Sequence, residues 1–495
     1  MSSHRARLAA CLLGFLPAAS AAHCDLAIVG TGPGGAFAAW HAAEAGRHVC
    51  VFELGDRPGG RIHSLRGMGP RRDLVVEAGA YRFAPKEVCE PMGPNASWCI
   101  RTPITAASVK ELGLSAGVYD PNPWNWDYKM RKLIDKHGHN VGYLTLVESM
   151  LERAAARGAE LHFSTEVTGL AGKGDSSSVE LKLAEGGSVE ASAVLLNIPQ
   201  KPLLKLLRHS GPPFVDMYSA PLYDPVSFPI MKLYVHYEDA WWRNYLNLTS
   251  GPFFNENPSG SSSSVIHMHA VPDQGPAPLM GQYHDGDVRC DGPGGRCRGF
   301  LQAFYSGGVA LDFYKAYHPL NGEAAVRLLP SSAEHRQLLA SVHKALLELH
   351  RKALDAVNAT ALVAGMAPDS GLLSIWAEGV SGINGGCHVP KSGSNPSPEG
   401  LPAAALRPFG KWPVFVANEA YGPVPCFAEG SLNMSSAALQ ALGVPRPAWL
   451  DAEVGRQVTQ RGHIPPPPTD PFLFMDRSRH ASQRAARSEE HSVVI

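Results

Sequence analysis

The chain of 495 residues has little with which to address a polyanion. Its formal net charge is −1 and only 18% of its residues are charged, so bulk charge directs it neither to nucleic acid nor to an anionic surface. Long apolar runs are scarce too. The most conspicuous, Leu8 to Ala18, is shorter than the roughly 20 residues a membrane-spanning helix needs, and no later segment exceeds it. No cysteine spacing resembles a zinc or iron–sulfur site, no other metal cluster is apparent, and no Ser/His/Asp triad stands out. What remains is a soluble composition, 44% hydrophobic, with ample material for a core and room for two to three domains or one enzyme with a split core. The 50 Gly and 41 Pro imply many loops.

The N-terminus reads as a targeting segment. His4, Arg5 and Arg7 precede the apolar run, and Ala19-Ser20-Ala21-Ala22 offers a cleavage site before His23. Residues 1–22 are therefore expected to be a signal peptide, and the mature chain to be secreted or to lie in an endomembrane lumen. Nine cysteines include Cys11 in that segment; Cys89/Cys99 and Cys290/Cys297 are candidate disulfides for such a compartment. Sequons stand at Asn95, Asn247, Asn358 and Asn433, of which Asn433 is expected to be buried and unmodified.

Asp25 to Val29 reads as a buried strand, followed by a Gly-rich turn, an Ala-rich helix ending near Gly46 and a second strand, His48 to Leu54. This is a βαβ unit of the kind that opens a doubly wound sheet. A strand and turn surround Glu77-Ala-Gly-Ala80, and Glu90 to Trp126, rich in Pro, reads as irregular. Tyr143 to Gly158 has helical periodicity. Strands are expected at Glu160 to Val167, Val179 to Leu183, Val189 to Asn197 and Phe228 to His236. Residues 251–298 read as a long loop, Ser332 to Val357 as an amphipathic helix, Trp412 to Ala417 as a strand and Ser431 to Leu442 as the closing helix. The fold expected is α/β: a doubly wound Rossmann-like dinucleotide domain assembled from residues 23–82, 141–210 and 376–450, with an interleaved mixed-sheet α+β substrate domain from 83–140 and 211–375. Residues 451–495, with four prolines from Pro465, read as a mobile tail.

Gly30-Thr-Gly32-Pro-Gly-Gly35 follows a strand and opens a helix. Gly30 permits the sharp turn, Gly32 the approach of backbone to a pyrophosphate, and Gly35 close helix–strand packing. Glu53 ends the second strand, placed to accept hydrogen bonds from a ribose diol, and an acid there argues against NADP. Arg57-Pro-Gly59-Gly60-Arg61 supplies a second Gly pair, which is either a plain surface turn or a further approach for an extended cofactor, with Arg61 adding charge near the pyrophosphate.

With Asn418-Glu419-Ala420 and Cys426-Phe-Ala-Glu-Gly430-Ser-Leu432 near the other end, the sequence resembles the flavin-containing amine oxidase family, closest in feel to the L-amino-acid oxidases. Glu53 to Arg61 is similar to that family's acid-then-GGR signature. The resemblance implies FAD as cofactor, with Glu419 at its phosphate or ribityl region and Phe427 to Leu432, including Gly430 and Ser431, over the pyrimidine end. It also places Gly79 and Ala80 under the flavin ring and adds Val167 to the cofactor-binding set. Two positions depart from the family pattern: Asn418 and Cys426 each replace a Gly. The first bears on backbone approach to the cofactor, the second narrows the cavity beside Phe427, and Cys426 is a speculative point of covalent flavin attachment.

Lys232 resembles the family lysine that holds a water near flavin N5, the alternative being a strand lysine facing solvent. Arg82 stands three residues after Gly79, where the L-amino-acid oxidases carry the Arg that binds the substrate carboxylate. A structural ion pair with Glu77 or Glu87 is the competing role. Tyr81, Trp376 and Phe427 are candidate walls of the substrate cavity, and His388 is a weaker candidate facing it. The implied reaction moves hydride from the substrate Cα–H to the flavin. The resulting imine is hydrolysed to a 2-oxo acid and ammonia, and O2 is reduced to H2O2. Three rivals remain: an amine or polyamine oxidase on the same fold, a flavin-binding protein without oxidase activity, and a thioether oxidase resembling prenylcysteine oxidase.

Overall fold

A computed structural model describes residues 23–93, 96–120, 129–252, 282–292, 294–306, 310–319, 322–378 and 385–451. The signal segment, Asn95, Trp124, Trp126, residues 253–281 and the C-terminal tail beyond Asp451 lie outside the described residues.

A five-stranded parallel sheet forms the centre of the larger core, in the order Glu160–His162, Val49–Phe52, Leu26–Val29, Val194–Leu196, Val414–Val416. Its three central strands, Val49–Phe52, Leu26–Val29 and Val194–Leu196, are buried at every position. They are short apolar runs without alternation, as expected of strands covered on both faces. The helix Pro33–Glu44 packs against Leu144–Ala156 and against the closing helix Ala428–Ala441. The first of these helices starts with Pro33, whose missing N–H costs nothing at that position. Flanking it is a four-stranded sheet ordered His23–Cys24, Ser188–Ala191, Ser178–Leu183, Val167–Lys173.

The second core lies under a six-stranded antiparallel sheet ordered Ser250–Pro252, Gln282–Cys290, Cys297–Ser306, Ile230–Tyr237, Ser370–Trp376, Ala325–Leu328. The helix Ala333–Ala356 covers it, with Leu338, Leu339, Val342, Leu346 and Leu354 buried and Leu347 and Leu349 packed at the margin. Ser332 caps this helix by accepting the His335 N–H.

Several elements differ from the sequence expectation. Glu90 to Trp126 is not irregular throughout. Val88–Gly93 and Ala96–Ile100 form a hairpin, Pro103–Glu111 is a helix, and Ser115–Val118 pairs with Arg131–Ile134. The prolines there punctuate rather than break: the hairpin register shifts between Pro91 and Gly93, and Pro103 is a first helical residue. Residues 282–290 are a strand rather than part of a long loop. The expected strands Glu160 to Val167 and Val189 to Asn197 each divide between two sheets, because the chain crosses between the parallel sheet and the four-stranded one within each run. The closing helix begins at Ala428, three residues earlier than expected.

Cys89–Cys99 and Cys290–Cys297 are disulfides, as expected. So are Cys24–Cys50 and Cys387–Cys426. These two pairs are 26 and 39 residues apart in sequence, and only the fold brings their members together.

Candidate active site

The fingerprint is a close-packed turn. Gly30 adopts φ +98°, and a Cβ on Gly35 would stand 2.0 Å from the Gly30 carbonyl oxygen. Neither position accepts a side chain. Gly32 is the N-cap of the helix Pro33–Glu44, which has no side-chain cap and no acid in its first turn. Its leading amides are thus left for an anion. Glu53, just past Val49–Phe52, accepts the Thr31 amide at 2.8 Å and hydroxyl at 2.6 Å on one oxygen and the Gly55 amide at 2.9 Å on the other. The Thr165 amide reaches the Glu53 carbonyl at 2.8 Å, which brings Val167 to the same neighbourhood. Gly60 abuts Gly32, and the Gly59 amide donates to Thr31.

Asn197 was not singled out by its sequence, yet it joins three separated segments. It sits just beyond the strand Val194–Leu196 and donates to the Ala417 carbonyl and to Ser431 Oγ at 2.8 Å. The available signal was a polar residue directly after a buried apolar strand and two residues before Pro199. Ser431 lies in the first turn of the closing helix, next to Gly430, while Leu432 is buried in the core rather than at the site's edge.

Around Arg61 the geometry is denser. Its carbonyl accepts the Ala80 amide at 3.0 Å, and a Cβ on Gly79 would lie 1.8 Å from that same carbonyl oxygen. Its guanidinium donates to the Gly386 carbonyl at 3.0 Å and pairs with Glu419 at 2.7 Å. Glu419 also accepts the amides of His388 at 3.0 Å and Cys426 at 2.8 Å, and its second oxygen is 3.1 Å from His388 Nδ1. Burial opposes ionisation of this carboxyl, but Arg61 and His388 outweigh it and hold the group well below the usual carboxylate range. Asn418 caps the short turn Glu419–Tyr421 by accepting the Ala420 amide. Cys426, at φ +66°, is joined to Cys387 and has no thiol to offer a flavin, which corrects the expectation of an attachment point there.

Lys232 does not face solvent. It is buried in the strand Ile230–Tyr237 and donates to the carbonyls of Glu77, at 3.1 Å, and Gly79. Burial pushes its ammonium well below the ordinary lysine range; Glu77 opposes this and Arg82 adds to it. The Lys232 nitrogen lies 3.8 Å from the centre of the Tyr81 ring, and the Arg82 guanidinium carbon 4.7 Å from the same centre. Arg82 donates to the Tyr81 hydroxyl and also stands 5.7 Å from the Tyr119 ring centre. The Glu77 carboxylate is held by Ser64 at 2.6 Å and the Tyr143 amide at 2.7 Å. Trp376 is buried and donates its indole N–H to the Ala78 carbonyl, so it backs the Gly79 turn from the sheet side. Phe427 precedes the closing helix and packs against the cluster of Ala84, Val88, Ile100 and Met130. Glu429, in that helix's first turn, instead holds the amides of Ile104 and Thr105, both at 2.9 Å.

The fold and this geometry have counterparts among known proteins. Residues 28–89 match the model of the NAD(P)-binding Rossmann-like domain, and residues 100–288 that of the flavin containing amine oxidoreductases. The chain belongs to the flavin amine oxidase family. FAD is its cofactor, and the residues described fit it: an uncapped helix start among glycines that no Cβ fills, an acid for the ribose, and a buried His388 Nε2 with no hydrogen-bond partner among the described residues. Among solved structures the chain is similar to wild-type putrescine oxidase bound to putrescine. That match has 15% identity, a TM-score of 0.52, and covers 85% of this chain and 99% of the other. A triple mutant of putrescine oxidase gives 14% identity, a TM-score of 0.51 and coverage of 86% and 99%. At such identities the likeness establishes a shared fold. No curated protein matches the sequence significantly.

Proposed function

We propose that this amine oxidase acts on L-amino acids, producing the imino acid, which water converts to a 2-oxo acid and ammonia, with O2 reduced to H2O2. Bound FAD supplies the hydride acceptor and the route of electrons to oxygen. Gly30, Gly32, Gly35, Glu53, Gly60 and Arg61 would hold its nucleotide part, Glu419 its phosphate or ribityl region, and the Gly79–Ala80 turn and the start of the closing helix its isoalloxazine part.

The observation that carries the substrate assignment is the sharing of one aromatic ring, Tyr81, by Lys232 and Arg82. A guanidinium held over that ring, beside the turn that the FAD would cover, suits an anionic substrate group. The planar guanidinium presents two parallel donors to a carboxylate. Tyr81, with Tyr119 and Tyr305 against it, fixes where Arg82 sits. Putrescine, the ligand of the similar solved structure, has no carboxylate, and an oxidase of such amines would have no use for Arg82.

Peroxide release measured with a panel of L-amino acids, monoamines and diamines tests the assignment. Turnover of amino acids supports it; turnover of amines alone would overturn it in favour of the polyamine reading. We further propose a secreted or lumenal location, which the four disulfides support. Secreted material is expected to begin at His23.

A further inference from the structure

We propose that Glu429 is a positioning residue for substrate specificity: by holding the helix Pro103–Glu111 from the closing helix, it sets where Arg82 stands relative to the cavity wall at Phe427. This role rests on the reading of Arg82 as the carboxylate anchor.

Glu429 and Phe427 stand two residues apart at the start of the helix Ala428–Ala441. The Glu429 side chain is fully buried. Its carboxylate accepts the amides of Ile104 and Thr105, both at 2.9 Å, the Thr105 hydroxyl at 2.8 Å and the Asn433 side-chain nitrogen at 3.3 Å. Burial pushes this carboxyl up to about 7, and the same donors oppose the shift. Two of them are first-turn amides of Pro103–Glu111, a helix with no acid of its own in that turn. Glu429 thus supplies both the missing acceptors and the negative charge that suits a helix N-terminus.

Thr102 explains why the cap comes from a distant element. It is the N-cap residue of that helix, where a threonine hydroxyl ordinarily accepts one of the helix's own amides. Here it makes no such bond. Its hydroxyl accepts the Ala84 amide at 2.8 Å and donates to the Ala84 carbonyl at 3.1 Å, and the Thr102 amide donates to that carbonyl at 2.8 Å. Ala84 is two residues beyond Arg82. The run around Arg82 is therefore tied at Ala80 to the Arg61 carbonyl, at Phe83 to the backbone of Arg131, and at Ala84 to Thr102. Capping by Glu429 leaves the Thr102 hydroxyl to make the last of these ties.

Apolar contacts join the same parts. Phe427 and Tyr119 both pack against the cluster of Ala84, Val88, Ile100 and Met130, and the Tyr119 ring centre lies 5.7 Å from the Arg82 guanidinium carbon. Wall and anchor share one small core, with the Glu429 clamp holding the next helix against it. Without the carboxylate, the first-turn amides lose their acceptors, the Thr102 hydroxyl turns back to its own helix, and the Ala84 amide is released. Arg82 keeps the tie at Phe83, so the loss is smaller than that from removing Arg82 itself.

Steady-state kinetics of the FAD-loaded protein at pH 8.5, where Glu429 is ionised, test this with an L-amino acid and its decarboxylated amine. Wild type, Glu429→Gln, Thr102→Val and the double variant are compared. In each single variant the KM for the amino acid should rise about ten times more than the KM or inhibition constant of the amine, as loss of one hydrogen-bonded tie implies. The double variant should lose about twofold or less beyond either single change, because both act through one hydroxyl. Equal losses on the two compounds, or additive losses, overturn the proposal. Hydrogen exchange read by mass spectrometry follows the clamp without turnover. The peptide containing Ala84 should exchange about tenfold faster in Glu429→Gln, although no Glu429 atom bonds to it; unaltered exchange overturns the proposal. Should Glu429→Gln fold poorly, Thr102→Val, which leaves the Glu429 bonds in place, gives the same selective KM change or refutes it. If the wild type oxidises amines alone while the exchange changes as expected, it is the substrate reading that fails.

Discussion

Replacing Glu419 by glutamine should destabilise the FAD-loaded protein by about 3 kcal/mol, because removing one member of a buried ion pair costs roughly 3–5 kcal/mol and the amide carbonyl can still accept one of the donors. The carboxylate takes Arg61 at 2.7 Å, the Cys426 amide at 2.8 Å, the His388 amide at 3.0 Å and His388 Nδ1 at 3.1 Å. An amide NH2 would instead point a donor at a donor, and Arg61, 16% exposed, would lose its counter-charge. The effect carries a pH signature. The folded carboxyl titrates well below its ordinary value of 4.5, so its contribution is complete above that pH. Below it, the contribution falls by up to about 1.4 kcal/mol per pH unit. Urea unfolding of both proteins at pH 7, 4.5 and 3.5 should therefore show a gap that is constant between the first two and shrinks by about 1 kcal/mol at the third. A gap under 1 kcal/mol at pH 7, or one that widens in acid, would refute the reasoning.

Gly79→Ala should abolish FAD retention, since its Cβ would meet the Arg61 carbonyl at 1.8 Å and no flexible side chain is there to yield; a soluble variant with normal flavin content would contradict this. Lys232→Met should slow reoxidation by O2 about tenfold or more while changing flavin reduction much less, as removal of a preorganised polar group at a redox cofactor predicts. Double-mixing stopped flow separates the two steps, and unaltered reoxidation counts against a role for the lysine. The paired change Cys387→Ser with Cys426→Ser should raise the FAD dissociation constant about tenfold by loosening the two amides that hold Glu419; fluorescence titration with FAD would expose an unchanged constant.

The opening βαβ unit was legible because each of its parts is local: apolar strand, glycine turn, uncapped helix start and acid lie within about 30 residues. The two-sheet division of Val189 to Asn197 was not legible. A two-residue gap between strands in different sheets leaves no mark on an apolar run, and the deciding partners, Ala27 and Val414, are far away in sequence. Arg61 and Glu419 were each recognised as cofactor residues, but their ion pair spans 358 positions and only the fold discloses it. The same holds for Cys387–Cys426, which turned Cys426 from a candidate flavin ligand into a structural clasp. Lys232 was better served, because an apolar strand on both sides of it already pointed inward. Arg82 was placed by spacing from Gly79 alone, and its approach to Tyr119 became visible only in three dimensions.

The central claim, oxidation of an L-amino acid anchored through Arg82, is tested most directly by anaerobic titration of the flavin spectrum in wild type and Arg82→Ala. The account predicts that an L-amino acid bleaches the wild-type flavin and that the variant needs roughly a hundredfold more of it, as loss of a charge-assisted pair of about 3 kcal/mol implies. The corresponding decarboxylated amine should behave alike in both proteins. Equal affinity of wild type and variant for the amino acid would contradict it.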